Sequence, residues 1–408
     1  MASLDLHLND RRRSIGRPFR SVWLSVIVSS TGDGMFITAF PLLAATLTRD
    51  PVLIAGITVA SRLPWLLLSM VTGAIADRMD RRRLMIGADL VRCVIVGALG
   101  LAIVADVINI WYLFACAFLL GVGETLHVNA AQAMLPTLVE PADLLQANAR
   151  FGSAQIASAQ FAGPPLGVAM FHAATSVPFL ADAVSFAGSA LLIRSLPDVH
   201  AVEPPSTGLF DDVREGLRFM RHNAALRRIT GILAVINFFY FAAISLLVLY
   251  NAQQLHSGKL TYTALFVGAA TGTVLSRFIV SAIADRAGAP NTLAIAIWLW
   301  ALAMTGLALT STPWVAVSMY LLLGGGTGLW LTLNTTIRQQ ITPARLLGRM
   351  NAAYRTVSWG VVPFGAAFGG LSARLFGLRS PFVIASVVML TIAVFANRLL
   401  RPVALELA

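Results

Sequence analysis

Apolar stretches of roughly twenty residues recur along this chain at 21–47, 52–76, 84–105, 110–134, 149–172, 176–194, 229–251, 262–284, 292–311, 314–337, 351–374 and 380–398. That length carries a helix across the hydrocarbon core of a bilayer. At lipid depth no water is available to the backbone, so a continuous apolar stretch satisfies its own peptide groups by becoming a helix. The fold class that follows is an all-α membrane protein of twelve transmembrane helices. Charged residues make up only 12% of the 408, about half the share of a soluble domain, which excludes a large globular enzyme.

The links between stretches set the orientation. The net charge of +11 would suggest nucleic acid for a soluble chain, but here the arginines sit in short loops, where they report sidedness. The arm with Arg11, Arg12, Arg13, Arg17 and Arg20, the run "DRMDRRR", Arg150, the 195–228 connection, Arg286, the group Arg338, Arg345 and Arg349, and Arg398 with Arg401 alternate onto one side. Both termini are therefore expected in the cytoplasm, with no cleaved leader. The expected organisation is a basic arm (1–20), a six-helix bundle (21–194), a cytoplasmic linker (195–228), a second six-helix bundle (229–398) and a cytoplasmic tail (399–408). In the linker Leu209, Val213, Leu217 and Met220 recur at helical spacing, which predicts a short amphipathic helix on the membrane surface. Cys93 and Cys116 both fall in apolar stretches and read as packing residues.

The two halves echo each other. "GAIADR" at 73–78 returns as "SAIADR" at 281–286, and "EPADLLQANA" at 140–149 returns as "TPARLLGRMNA" at 342–352. Each pair follows equivalent spans at nearly one offset, the pattern of two bundles related by an axis along the membrane normal. At these residues the chain resembles the major facilitator superfamily. "GAIADRMDRRR" is similar to that family's signature loop at Gly73, Asp77, Arg78, Arg81 and Arg82, with Asp80 where a glycine is usual; the second copy matches at Asp285 and Arg286. The strings "GDGMF", "SRLPWLL", "LPTLVEPADLLQANA" and "DDVREGLRFMRH" resemble the branch of drug and siderophore exporters that includes Tap-like pumps, macrolide efflux proteins and enterobactin exporters. The resemblance implies two pseudo-symmetric bundles rocking about a midplane site in a bacterial plasma (inner) membrane. It also implies that the signature loop latches the outward-facing state; a plain positive-inside anchor is the alternative. "AGPPLG" at 162–167 resembles in part an antiporter motif, with Gly163, Pro164 and Gly167 matching and Ala159 replacing a glycine.

Ionisable residues inside spans mark function or tight structural pairing. Asp33 lies between Gly32 and Gly34, twelve residues into its span, about 18 Å deep by helix rise. It is the first candidate for proton coupling. The glycines either let the helix bend there or admit a neighbouring helix or ligand. Glu124 and His127, three apart on one face, are further candidates, with a hydrogen-bonded structural histidine as the alternative. Two such ligands do not make a metal site. Asp89 and Arg92 pair locally or join the signature-loop network. Asp182 is expected near the outer interface as a cap. Arg62 either faces an embedded carboxylate or snorkels outward; the depth of Arg277 favours the interior. By resemblance the first, fourth, seventh and tenth spans line the cavity; Phe36, Asn129, Asn237, Phe238, Tyr240, Trp330 and Asn334 stand on them and, with Arg62, form the candidate substrate surface.

No phosphate loop, nucleophile elbow or zinc spacing is present, so no enzyme and no cofactor are expected, and an ion gradient supplies the energy. The expectation is a monomeric, proton-coupled multidrug antiporter for hydrophobic or amphipathic compounds, in contact with lipid and not with nucleic acid. A dedicated exporter of one endogenous metabolite, such as a siderophore, or a membrane binding protein without flux, are the alternatives.

Overall fold

The computed structural model describes residues 17–140, 143–196, 209–343 and 346–407, and every regular element among them is helical. The first bundle holds α1 (Arg17–Leu47), α2 (Pro51–Arg78), α3 (Arg81–Val104), α4 (Ile110–Leu138), α5 (Leu144–Ile156), a π-helical turn (Ala157–Ala162), α6 (Gly163–Ala173) and α7 (Val177–Arg194). After the linker helix α8 (Leu209–His222) come α9 (Ala224–Ile244), α10 (Leu247–Gln253), α11 (Lys259–Ala287), α12 (Ala289–Leu309), α13 (Pro313–Ile341), α14 (Leu347–Gly360), α15 (Val362–Phe376), α16 (Ser380–Val394) and α17 (Ala396–Leu407).

Helix ends are written locally. Asp50 caps α2 by accepting the Val52 N–H at 2.8 Å, Asn109 caps α4 through Tyr112, and Asn223 caps α9 through Leu226, each satisfying an otherwise orphaned donor. Proline opens α2, α6, α7, α12, α13, α15 and α16, where its missing N–H costs nothing. Gly288 (φ 81°) and Gly377 (φ 87°) turn the chain between neighbouring spans in a backbone region other residues rarely adopt.

Nine of the described helices are each long and apolar enough to cross a membrane. The other three predicted crossings are assembled from pieces. The fifth is α5, the π turn and α6; the eleventh is α14 and α15, parted before Pro363; the twelfth is α16 continued by α17. The eleventh and twelfth diverge by 120° at the Gly377 turn. Leu347–Phe376 rises about 45 Å, enough for a crossing of its own, so these are two spans and not one broken one.

The internal repeat reappears as a repeat of contacts. In the first bundle α2 packs on α4, α3 on α4 and α7, and α1 on α6 and α7. In the second, α11 packs on α13, α12 on α13 and α16, and α9 on α15 and α16. Each pairing of the first half thus has its counterpart six spans later. The halves meet through α2 against α15 and through α6 with the π turn against α11, an equivalent pair of seams. These seams are tight at one end of the molecule, the end carrying the 48–50, 174–176, 254–258 and 377–379 turns. There Asp50 and Arg374 approach to 3.9 Å, Lys259 lies 4.6 Å over the Phe171 ring, and Gly370 abuts Pro51, Val52 and Ala55. At the other end α5 packs within its own bundle, on α1, α4 and the π turn.

Two expectations gain detail. The tail expected from residue 399 belongs to α17, which docks on α9 and α12, with Leu400 and Val403 buried and Glu406 accepting from Asn223 at 2.8 Å. Its apolar residues recur on one face, which pays to bind rather than to hang in water. The predicted linker helix forms as α8 and lies along α14, where Gly216 meets the Arg349 backbone and Glu215 pairs with the Arg349 side chain; Met220 is buried, and the Leu209 and Val213 side chains lie outside the described residues.

The α11–α13 contact rests on bare backbone. A methyl group on Gly324 would collide with the Ala269 carbonyl, whereas one on Gly87 meets nothing within 4 Å. Gly324→Ala is therefore expected to destabilise the protein by about 1–3 kcal/mol and Gly87→Ala to leave it unharmed, read as thermal unfolding in detergent. Equal midpoints for the two would refute the close-contact account.

Candidate functional site

Asp33 sits sixteen residues from Arg17 and fourteen from Leu47 in α1, about 24 and 21 Å from the ends, and so near the bilayer centre. Glu124 is equally central, fourteen residues from either end of α4. A charge at that depth needs a partner, and α3 supplies it: Arg92 Nη2 donates to Asp33 Oδ1 at 2.5 Å. The same guanidinium lies 3.7 Å from Asp89 Oδ1 and 3.9 Å over the Phe186 ring. Asp89, wholly buried, is in turn met by His127 Nδ1 at 2.9 Å and by the Ser189 hydroxyl, which donates at 2.6 Å. α1, α3, α4 and α7 thus each contribute a member to one network. Gly123 makes it possible, because a side chain there would strike the Arg92 stem.

Access differs across the network. Arg92 and Asp89 side chains are 5% and 0% exposed, while Asp33 keeps 35% of its side chain open. Glu124 is half-buried and accepts from Trp65 Nε1 of α2 at 3.3 Å. The arrangement holds one reachable carboxylate against a walled-in arginine whose second partner is fixed by histidine and serine. Protonating Asp33 would loosen the outer pair and leave the inner one in place.

The glycines beside Asp33 serve contact and not bending. α1 runs as one helix through this region. A side chain at Gly32 would clash with Asp182 and Ser185 of α7, and a Cβ at Gly34 would come within 2.5 Å of the Ala159 carbonyl and 2.9 Å of the Gly163 Cα. Gly163 and Gly167 face Gly34 and Met35, and Thr38 reaches the Pro164 carbonyl at 3.4 Å. Small residues let these backbones approach. The π turn at Ala157–Ala162 precedes Pro164, whose missing N–H removes one ladder bond. The motif read as an antiporter signature therefore packs directly on the Asp33 helix. Asp182 departs from its expected place: it is 1% exposed and held by Ser185 Oγ at 3.1 Å, because α7 turns that face onto α1.

The signature loop closes the 73–83 corner. Asp80 has φ −58° and caps α3 by accepting the Arg83 N–H at 2.9 Å, so this turn has no need of a glycine. Arg81 is buried, and Arg82 Nη2 donates to the Arg194 carbonyl at 2.5 Å, tying the start of the third span to the end of the sixth. Gly73, Asp77 and Arg78 lie in the last turns of α2, with side chains outside the described residues. Asp285 and Arg286 are exposed at the end of α11.

The candidate substrate residues divide. Phe36 stacks on Phe40 at 4.4 Å, edge-on to Phe179. Asn129 donates to Thr72 at 2.8 Å, joining α4 to α2. Asn237 donates to the Ser358 carbonyl at 2.6 Å, and Phe238 packs on Phe239 and Phe368. Tyr240 is half-buried against Phe241. Trp330 and Asn334 are enclosed, the first against Trp300 and the second donating to Tyr354 Oη at 2.5 Å. Arg62 is half-buried and pairs with no described carboxylate, and Arg277 is exposed. Arg355 went unnoticed in the sequence. It stands in a weakly apolar stretch of the eleventh span, yet its guanidinium carbon lies 5.3 Å over the Trp65 ring of the opposite bundle.

Removing one member of a buried ion pair strands the other. Arg92→Leu is expected to cost about 3–5 kcal/mol in unfolding free energy, and Asp33→Asn combined with Arg92→Gln to cost less than the sum of the two single changes. Strictly additive losses in a thermal-unfolding cycle would separate the two residues energetically.

Comparison with known proteins comes to the same architecture. The family model described as transmembrane secretion effector matches residues 15–406. The chain is 25% identical over 404 residues to the multidrug efflux pump Tap of Mycolicibacterium fortuitum, covering 96% of this chain and 98% of that one. It is 19% identical to macrolide efflux protein A of Streptococcus pyogenes, covering 92% and 94%. Among solved structures, an inward-facing, occupied bacterial homologue of the human lysosomal transporter Spinster superposes with TM-score 0.74 at 14% identity, covering 95% and 97%. Nine described helices long and apolar enough to cross a membrane, a contact pattern of the first bundle that recurs in the second, and a family match over nearly the whole length lead to one assignment: the chain belongs to the transmembrane secretion effector family of the major facilitator superfamily, and is a transporter and not an enzyme.

Proposed function

We propose that this chain is a proton-coupled exporter of hydrophobic and amphipathic small molecules that works by alternating access. The observation that carries the reading is the Asp33–Arg92 pair: a half-open carboxylate at mid-membrane depth, 2.5 Å from an enclosed arginine. Such a carboxylate has two stable conditions, ionised and clamped to Arg92, or protonated and released. Switching between them changes the charge and the contacts of α1, the helix that packs on both α6 and α7. Glu124 and His127 extend the pathway: Glu124 is half-buried at the same depth, and His127 anchors Asp89 behind Arg92. The efflux pumps among the relatives support export of small molecules as the direction and cargo.

The arginine-poor end of the molecule faces outward in this reading, and both termini lie in the cytoplasm of a bacterial cell, in the plasma membrane. The seams pressed shut at Asp50–Arg374 and Phe171–Lys259 are then the outer gate, and the described conformation is inward-facing. Signature-loop residues Arg81 and Arg82, with Asp77 at the end of α2, belong to the opposite gate, which closes when the outer one opens. The protein works as a monomer with the proton gradient as its energy source.

Reconstituted into vesicles with an imposed pH gradient, the wild-type protein is expected to move ethidium against its gradient while protons flow the other way. Asp33→Asn is expected to abolish the gradient-driven component while leaving insertion and thermal stability adequate for reconstitution. Full gradient dependence in that variant would remove Asp33 from coupling. Asp77→Asn is expected to slow turnover more than it weakens substrate binding; an unchanged rate would return the loop to a charge anchor.

A further inference from the structure

The two bundles touch at a second place, away from the outer seams, and the chemistry there is that of a ligand site. Trp65 lies fourteen residues from Pro51 and thirteen from Arg78, at the middle of α2. The edge of its indole donates to Glu124 Oε2 at 3.3 Å. Its face carries the Arg355 guanidinium, 5.3 Å from the ring. Arg355 comes from α14 of the other bundle, is exposed, and pairs with no described carboxylate. The bundles are close here, since a Cβ on Gly360 would lie 3.1 Å from Leu66 Cδ1.

An indole whose N–H is given to a carboxylate presents an electron-rich face, and a cation within about 6 Å of that face is attracted. Glu124 adds a negative charge at the rim. Arg355 has the right charge for this position, yet it forms no ion pair with Glu124; among the described residues its charged end meets the ring. A guanidinium so placed occupies a seat better suited to a freer, more weakly hydrated cation that could stack on Trp65 and also approach Glu124.

We infer that Trp65 and Glu124 form a binding site for monovalent organic cations, and that Arg355 is its resident competitor. This rests on the small-molecule exporter reading and names a substrate class for it. An arriving cation displaces Arg355 from Trp65. Because Arg355 belongs to the opposite bundle, its displacement also removes a contact between α2 and α14, so that loading the site and freeing the bundles are one event. Arg92 is already committed to Asp33 and Asp89 and does not enter the site.

The test is equilibrium binding of tetraphenylphosphonium to the purified full-length protein, with tetraphenylborate as an anion of the same shape. Arg355→Gln is expected to tighten tetraphenylphosphonium binding about tenfold, because the competitor is gone. Trp65→Leu and Glu124→Gln are each expected to weaken it about tenfold. Tetraphenylborate affinity should not rise in Arg355→Gln. Unchanged or weaker cation binding in Arg355→Gln overturns the inference, as does a parallel gain for the borate. If Trp65→Leu does not fold, Trp65→Phe keeps a ring and Arg355→Gln still decides. Gradient-driven transport of the neutral drug chloramphenicol by the wild type separates the two readings. Transport with no Arg355 effect on cation binding sinks this inference alone; absence of flux for every drug tried, neutral or cationic, sinks the exporter reading.

Discussion

The constraint that organises this molecule is the cost of holding charge where no water solvates it. Asp33, Asp89, Arg92, His127 and Asp182 lie within the first bundle, and their helices are arranged around satisfying them. Arg92 answers two carboxylates at once, His127 and Ser189 complete Asp89, and glycines at 32 and 123 clear the space those side chains need. Five ionisable groups of this kind are poor material for stability, because an apolar packing of equal volume would do at least as well. Their presence fits the proposed exporter, which takes two arrangements and changes its charge state between them.

Among the described residues the second bundle shows no counterpart. Its interior is built from aromatic and amide contacts: Trp300 against Trp330, Tyr250 donating to the Leu307 carbonyl, and Asn237 and Asn334 joining the seventh and tenth spans to α14. The fold is symmetric in its contacts and asymmetric in its chemistry. One half holds a buried ionisable network and the other, among the described residues, aromatic and amide contacts, with α8 and α17 packed on that second half at the end opposite the Asp50–Arg374 seam.

Much of this was legible in the sequence, and the limits are instructive. Span number and the half-to-half repeat follow from apolar length and two recurring strings, since both are properties of the chain read in order. Asp33 and Glu124 were legible because an acid inside an apolar run is conspicuous on its own. The partner of Asp33 was not: Arg92 looked like a neighbour of Asp89, three residues away, and its reach to α1 depends on how α3 is rotated, which no local pattern encodes. For Gly32 and Gly34 the sequence leaves bending and close approach equally open, because it gives a glycine's freedom but not the Asp182 or Gly163 pressed against it. Arg355 was hidden for a similar reason. Its significance lies in a tryptophan 290 positions away on the other half.

The extra residue wound into the fifth span sets a rule about length. A π turn adds one residue without adding a turn. Wound instead as plain α-helix, the same residues would rotate everything beyond Ala162 by about 100° relative to everything before Ala157. Gly163 and Gly167 would then swing off α1, and bulkier neighbours would take their place against Gly34 and Met35. One residue lost from Ala157–Ala162 is absorbed as the wide turn closes to α-helix, whereas one residue gained has no such slack to enter.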